Sequence, residues 1–416
     1  MKSHKKSVII YISFKIVLLK GQKMNFKKLL AVLFAALICL SAFTACDVFN
    51  EQEETSSSAN GSSESGEAER FDYFGNDMTK YVTIDEALYK NPSVTLPTYL
   101  NGSDEAVAEY IQSLCEQYPV STGNKITDRA IQKGDVVMLY YEGWLNGEKF
   151  EGGSNMDSAT AHSLEIGSGS FIPGFEDALI GIIPAETSRE NLKDLHLTFP
   201  EDYHSTDLAG KAVIFKVYVE YIDEKKPSDY TDEFIKNTLG YSTQDTNIKA
   251  SFEKYLKDEY LPSLKDNEIL TAIWEDLSGK SIIISYPQSE LDYFFSSYES
   301  QYRQYYQYYS SMFSSYEEFM KAYFGGNWKE TLESQCKTDV AQNLIFHYIA
   351  QKQGFVITDT DYKNAVNYYI EYYAAQGQTL TEADVEKYFG ARMIKEQALW
   401  DKVNAFLTES CTVSYE

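Results

Sequence analysis

The sequence of 416 residues is poor in cysteine, histidine and basic side chains, the residues of zinc sites and nucleic-acid interfaces. It has 5 cysteines and 5 histidines, without a Cys-x-x-Cys pair or a Cys/His cluster, so zinc and thioredoxin-like redox sites have no support. Basic residues are also scarce, 37 against 62 acidic ones. Nucleic acids are bound through a basic footprint, which argues against RNA, DNA and the ribosome as partners. We expect no metal, no cofactor and no nucleic-acid partner.

Other common catalytic patterns are missing as well. No nucleophile-elbow motif occurs, and Gly167-Ser168-Gly169 is too short for a phosphate-binding loop. Three cysteines follow the N-terminal region, namely Cys115, Cys336 and Cys411. This odd number gives no obvious disulfide framework, and spacing alone leaves a bridge between Cys336 and Cys411 open.

Residues 1–45 carry no acidic side chain and predict a secretory signal peptide. After Met24, which we take as the start of translation, Lys27 and Lys28 precede an apolar run and a small-residue region. The run is too short for a comfortable membrane span. The signal predicts export from the cytoplasm.

Phe43-Thr44-Ala45-Cys46 resembles a bacterial lipobox. The resemblance implies that Cys46 is diacylated and anchors the mature chain to the cell membrane on its extracytoplasmic side. An ordinary signal peptide with a cysteine nearby is the alternative. The following residues, up to Arg70, are acidic, rich in serine and nearly free of apolar side chains, which predicts a flexible tether.

Residues 134–222 have the pattern of a compact β-rich unit. Residues 136–141 and 212–222 alternate as strands with two differently used faces, and Asn146-Gly147 predicts a two-residue hairpin. Pro173, followed by acidic residues, predicts the start of a short helix. Phe175 and Leu179 would share one face of this helix.

Three motifs of this unit read GDVVMLYYEGWLNGEKFEGG, IGSGSFIPGFEDALIG and FPEDYHSTDLAGKAVIFKV. In this order they resemble the FKBP-type peptidyl-prolyl isomerase domain, in the variant found in the trigger factor family. The resemblance implies an α+β fold, with an FKBP-like antiparallel β-sheet wrapped on a short helix. It also implies isomerisation of X–Pro bonds without a cofactor.

The resemblance also implies the residues of the catalytic pocket. Ile172 would offer its backbone N–H to the substrate carbonyl, Phe175 would form the floor, and Glu151 stands where other members have Asp. His162 replaces an aromatic residue of the family and makes the pocket more polar. The alternative is that these aromatics are only β-core. The predicted catalytic residues are Tyr141, Phe150, Glu151, Phe171, Ile172, Phe175, Tyr203 and Phe215.

A helical region follows Pro227, and its order of elements resembles the C-terminal chaperone domain of the trigger factor family. Its predicted helices span Tyr230–Leu239, Ile248–Leu277, Leu291–Phe313, Trp328–Gln353, Tyr362–Ala375 and Glu382–Leu407. The third carries tyrosines on several faces, more than one buried stripe uses. We therefore predict a client-binding surface at Tyr302, Tyr305, Tyr306, Tyr308 and Tyr309. The alternative is that the rings of this helix are buried core, the usual place of an apolar stripe.

These observations divide the chain into five parts and predict one function. The parts are the signal peptide (1–45), the lipidated cysteine and tether (46–70), a linker segment (71–128), the isomerase domain (129–225) and the helical chaperone domain (226–416). We expect an extracytoplasmic, membrane-anchored isomerase and chaperone whose clients are unfolded or proline-containing secreted polypeptides. The alternatives are a chaperone lipoprotein with a degenerate isomerase domain, and a structural or ligand-binding surface lipoprotein.

Overall fold

The computed structural model describes residues 70–416, apart from residues 202, 204 and 206. The predicted signal peptide, Cys46 and the tether before Arg70 lie outside the described residues. The described residues form two compact units. Residues 107–253 make up the sheet unit, and residues 70–106 together with 254–416 make up the helical unit.

The strands and helices are numbered along the chain. The strands are β1 (Val82–Thr83), β2 (Ser93–Leu96), β3 (Val120–Ile126), β4 (Val136–Leu145), β5 (Glu148–Ser154), β6 (His162–Glu165), β7 (Lys193–Thr198), β8 (Ala212–Lys226), β9 (Ile282–Ile283) and β10 (Thr412–Tyr415). The helices are α1 (Ala87–Lys90), α2 (Asp104–Gln117), α3 (Phe175–Leu179), α4 (Ile248–Tyr255), α5 (Leu261–Lys280), α6 (Gln288–Tyr309), α7 (Tyr316–Phe324), α8 (Trp328–Gln353), α9 (Asp359–Ala375) and α10 (Glu382–Glu409).

The sheet unit is built on a six-stranded antiparallel sheet. Its strands run in the order β3-β8-β4-β5, while β6 pairs with β4 and β7 pairs with β8. In β8, Val213, Phe215, Val217 and Val219 are buried and the residues between them are half-buried. This alternation confirms the predicted strand and turns one face of the sheet toward the core.

The turn between β4 and β5 and the short helix α3 both follow from local sequence features. Asn146 and Gly147 have φ angles of 53° and 86°, the positive pair that a type I′ hairpin requires, and they join β4 to β5 as predicted. Phe175 and Leu179 of α3 are both fully buried against the sheet. Gly174 enters this helix at φ 88°, a conformation that disfavours other residues. The predicted α+β fold, a sheet wrapped on a short helix, is confirmed.

The helical unit consists mainly of long helices, and two of them begin with a capping box. α8 has the predicted bounds and a long buried face. Thr358 and Thr381 each cap a helix, α9 and α10, in a capping box with the aspartate three residues later. Tyr369 of α9 stacks on Phe389 of α10, with ring centroids 4.2 Å apart. Gly390, at φ 72° and ψ 158°, interrupts α10 one residue later.

The segment that follows the predicted tether is part of the helical unit. β1 pairs antiparallel with β9, and β2 pairs parallel with β10 near the C-terminus. The buried carboxylate of Glu290 accepts two hydrogen bonds from Arg70, of 3.1 and 2.6 Å, and one from the Phe71 N–H. The residues predicted as a linker, 71–128, are thus divided at residue 106 between the two units.

Five of the six predicted helices have different bounds in the structure. α9 begins at Asp359 rather than Tyr362, and α10 ends at Glu409 rather than Leu407. The short one near Tyr230 is reduced to a π-helical turn at Phe234–Thr238. The long one from Ile248 contains a π-helical turn at Leu256–Tyr260. The tyrosine-rich one ends at Tyr309 rather than Phe313. Serines follow it, and the Ser310 hydroxyl donates to the Gln307 carbonyl (3.0 Å), a bond that competes with continuation of the helix.

Candidate functional site

The predicted catalytic aromatics converge in the sheet unit. Phe175 and Phe215 are buried in its core, and the other apolar members of the set are partly buried against the same core. We call this group the aromatic cluster; its members are Tyr141, Phe150, Phe171, Ile172, Phe175, Tyr203 and Phe215. The ring centroids of Tyr141, Phe175 and Phe215 lie 5.3 to 6.3 Å from one another.

Tyr141 lies in the middle of the cluster, on β4. Its ring meets Phe171 edge-on at 5.2 Å, and burial raises the pKa of its hydroxyl. Asn155 fixes the backbone here, since its Oδ1 accepts from the Tyr141 N–H (2.7 Å) and its amide donates to the Leu139 carbonyl (3.2 Å). Nothing in the sequence indicated this role for Asn155, because it lies 14 residues from Tyr141, just after the end of β5.

Phe150 reaches the cluster because two glycines leave room for its ring. A Cβ atom on Gly143 or Gly153 would lie 2.3 or 2.2 Å from the Phe150 ring, so neither position tolerates a side chain. The ring contacts Phe199 and Phe215, each at 5.8 Å. Phe150, on the hairpin of β4 and β5, therefore packs against the core of the sheet unit.

Phe171 and Ile172 lie on the loop that leads into α3. Phe171 stacks on Phe175 with centroids 4.2 Å apart and an angle of 21°. The Ile172 carbonyl accepts a hydrogen bond from the Phe175 N–H (3.1 Å). Within the part of the chain that the structure describes, the Ile172 N–H has no acceptor, so it remains available to a substrate carbonyl.

Glu176 holds this loop, a role that sequence reasoning missed. From the sequence it was interpreted only as an acidic residue in the first turn of the predicted helix, where such residues are common. It is buried, and its carboxylate accepts hydrogen bonds from Gly167 N (2.6 Å), Gly169 N (3.0 Å), Ser170 N (2.8 Å), Phe171 N (3.4 Å) and the Ser168 hydroxyl (3.0 Å). Burial opposes ionisation, but these donors outweigh it and lower the pKa of Glu176.

Glu151 does not lie among the buried groups of the site. It is exposed on β5 next to Phe150. The buried carboxylate nearby is Glu142, which pairs with Lys149 (2.6 Å) and accepts from the Trp144 indole (2.9 Å). Burial raises the pKa of Glu142, yet these two partners outweigh it and leave the pKa lowered.

His162 lies at the rim of the aromatic cluster. It is exposed on β6, with its ring 6.0 Å from Tyr141 and 5.4 Å from Phe171. Both contacts are edge-to-face. A polar ring therefore borders the place where a substrate would enter.

The predicted client surface is only partly exposed. Tyr302 departs from the prediction, because it is 4% exposed and contacts Phe324 at 5.0 Å. Tyr306 is half-buried against Phe319. The exposed apolar side chains at this end of α6 and α7, which we call the tyrosine surface, are Tyr305 (40%), Tyr308 (84%), Tyr309 (50%), Met312 (72%) and Tyr323 (46%).

The described residues also bear on the possibility of a metal site, a disulfide bond or a membrane span. No group of three or more His, Cys, Asp or Glu side chains in the described part of the chain is arranged to hold a metal. Cys115, Cys336 and Cys411 are free thiols, so the conceivable Cys336–Cys411 bridge is not formed. None of the described helices has the length and apolar character needed to cross a membrane.

Comparison with known proteins agrees with this geometry. A family model for the FKBP-type peptidyl-prolyl cis-trans isomerase matches residues 127–220. The chain is also similar to trigger factors. That of Bacillus licheniformis is 31% identical over 291 residues, 68% of this chain and 63% of the relative. That of Ureaplasma parvum serovar 3 is 32% identical over 255 residues, 61% of this chain and 54% of the relative.

These similarities have limited extent. The chain spans 54% and 63% of the length of those two relatives. A solved structure of the trigger factor chaperone aligns over 79% of this chain and 72% of that chain, at 17% identity and a TM-score of 0.28.

Proposed function

We infer the function of the chain from one premise: it is a trigger factor-like protein with an FKBP-type peptidyl-prolyl cis-trans isomerase domain at residues 127–220. We propose that the whole chain isomerises X–Pro bonds in unfolded polypeptides and holds those polypeptides as a chaperone. The observation that carries the proposal is the aromatic cluster, with the Ile172 N–H available at its edge.

The cluster suits a reaction that moves no proton and forms no covalent bond. Rotation about an X–Pro bond has a barrier of roughly 20 kcal/mol, because amide resonance is lost in the twisted state. A catalyst needs only an apolar enclosure for the proline ring and a polar group that favours the twisted amide. Tyr141, Phe175 and Phe215 supply the rings of such an enclosure, and the Ile172 N–H supplies the polar contact.

The tyrosine surface supports the holding activity. Its side chains combine large apolar area with hydroxyl groups, which suits contact with many different sequences at low entropic cost. The stretch from Gln304 to Phe313 carries no charged residue. Unfolded polypeptides with exposed apolar segments are therefore the clients that we propose.

We further propose that the chain acts outside the cytoplasm, anchored through Cys46, on secreted clients. The support is the signal-like sequence after Met24, the lipobox-like Phe43-Thr44-Ala45-Cys46 and the serine-rich tether. Mass spectrometry of the N-terminal peptide should find a diacylglyceryl group on Cys46, and the Cys46→Ser variant should leave the membrane fraction. An unmodified Cys46 would refute this part of the proposal.

The isomerase is tested with the full chain on a proline tetrapeptide, by protease-coupled or NMR-exchange kinetics. We expect acceleration by the wild type and a loss of roughly tenfold or more in kcat/KM for Tyr141→Ala. Tyr415→Ala, a matched change at an exposed tyrosine outside both proposed binding sites, serves as the control and should keep the activity. If folded wild type gives no acceleration, the protein is a chaperone or binding lipoprotein with a degenerate isomerase domain, the alternative that exposed Glu151 and His162 favour.

A further inference from the structure

Phe171 covers Phe175, the ring that forms the floor of the proposed pocket. Its ring lies face to face on Phe175, with centroids 4.2 Å apart. The edges of Tyr141 and His162 meet it at 5.2 and 5.4 Å. Phe175, the floor of the proposed pocket, is 0% exposed and belongs to the buried core of the sheet unit. One face of this floor is thus covered by another member of the aromatic cluster.

The spacing of the two rings leaves no room for a ligand between them. A third ring between two stacked rings requires a separation of about 7–8 Å, because each face contact needs roughly 3.5–4 Å. The observed separation of 4.2 Å admits no atom layer. A proline ring therefore reaches Phe175 only after Phe171 has moved away.

The backbone around Phe171 is fixed, so the movement belongs to the side chain. Glu176 accepts hydrogen bonds from the N–H groups of Ser170 (2.8 Å) and Phe171 (3.4 Å). On the other side, the Ile172 carbonyl accepts from the Phe175 N–H. Phe175 is enclosed, whereas Phe171 is partly exposed. Phe171 is the ring of this stacked pair that has a path to solvent.

We propose that Phe171 is a gate that sets the affinity of the proline subsite. It fills the subsite in the empty protein and rotates toward solvent when a proline-containing segment enters. The proposal rests on the proposed isomerase function, because the same subsite serves both. The apparent dissociation constant is the intrinsic one divided by the fraction of molecules in which the Phe171 ring has left the subsite. A segment must also replace the face contact that Phe175 loses, which favours the proline ring over small side chains.

The test is a size series at Phe171 in the full chain, with a proline tetrapeptide as the probe. Phe171→Ala removes the plug, Phe171→Leu shortens it and Phe171→Trp enlarges it. Suppose that molecules with the Phe171 ring in the subsite outnumber those with the ring in solvent by roughly three- to thirtyfold. The dissociation constant of the peptide and KM then fall by about that factor in Phe171→Ala. Phe171→Leu should fall between, and Phe171→Trp should bind more weakly than the wild type. Phe74→Ala, a change at a partly exposed phenylalanine of the helical unit, should bind like the wild type.

Binding by calorimetry and turnover by NMR exchange separate the gate from the isomerase. Weaker or unchanged binding in Phe171→Ala overturns the gate and makes Phe171 an ordinary wall of the pocket. Absence of binding in both wild type and Phe171→Ala overturns it as well. Tighter binding in Phe171→Ala without isomerisation in any variant supports the gate and refutes the isomerase. Damage to the fold cannot tighten binding, so a gain on truncation distinguishes a gate from a structural role.

Discussion

The aromatic cluster of the sheet unit and the tyrosine surface of the helical unit use aromatic rings in opposite ways. Phe175 is 0% exposed and touched by rings on several sides, whereas Tyr308 is 84% exposed on the last turn of α6. Rings fixed by their neighbours form an enclosure that accepts one shape. Rings that stand in solvent adapt to many shapes. The first arrangement suits recognition of a proline ring once the Phe171 ring has moved aside, and the second suits holding of unfolded segments.

The buried carboxylates of the two units differ in the same sense. Glu176 accepts five hydrogen bonds, four of them from backbone N–H groups, and its pKa is lowered. Asp339 of α8 accepts two, from the Tyr298 hydroxyl (2.6 Å) and the Gln335 amide (3.0 Å). Burial is the largest influence on Asp339 and raises its pKa to about 6. The ionised carboxylate is thus well stabilised by hydrogen bonds at Glu176, beside the site, and poorly stabilised at Asp339, which is bonded to Tyr298 of α6.

The largest expected effect follows from truncation of the enclosed ring. Phe175→Ala removes a fully buried phenyl group and leaves a cavity, which costs about 3–5 kcal/mol of unfolding free energy. Denaturant unfolding of the full chain, followed by the near-UV signal of the sheet unit, measures this loss. Phe175→Leu leaves a smaller cavity and should cost less than Phe175→Ala. If the two variants are equally stable, the cluster is not a closely packed enclosure.

Much of the sheet unit was predictable because its signals are local. Asn146-Gly147 specifies a tight turn through two positive φ angles. Phe175 and Leu179 lie four residues apart and must share a helix face. The capping residues Thr358 and Thr381 likewise start their helices through neighbours three residues away.

The features that sequence reasoning missed depend on residues far apart or on side-chain packing. The pairing of β2 with β10 joins segments separated by more than 300 residues, and short strands carry no signal for such a partner. Tyr302 was predicted at a surface but is buried, because α7 covers it through Phe324. The five donors to Glu176 come from a loop whose conformation no local pattern specifies.

A smaller, pH-dependent effect is expected for Asp339. Its folded pKa of about 6 is above the ordinary aspartate value of 3.8, so the folded state binds the proton more tightly and stability falls as pH rises between these values. Asp339→Asn removes this dependence. The wild type should lose up to about 3 kcal/mol relative to the variant between pH 4 and pH 7, as measured by denaturant unfolding at both pH values.

Glu176→Gln is the matched control for that pH dependence. The lowered pKa of Glu176 means that its contribution is present above the unfolded pKa and is lost as pH falls through the folded one. The wild type should therefore gain relative to Glu176→Gln as pH rises, opposite to the Asp339 pair. The same sign in both pairs would contradict the difference between the two carboxylates.

The smallest change in stability and a clear change in function are expected at the tyrosine surface. Tyr308→Ser, combined with Tyr309→Ser, removes rings that are 84% and 50% exposed, so the free energy of unfolding should stay within about 0.5 kcal/mol of the wild type. Suppression of aggregation of a guanidinium-unfolded enzyme, followed by light scattering, should fall roughly twofold or more because these rings supply client contact area. Val356→Ser, at another exposed apolar side chain of the helical unit (73%), should leave suppression intact. Equal loss in both variants would mean that any exposed apolar group serves, and no loss in either would place client binding elsewhere on the molecule.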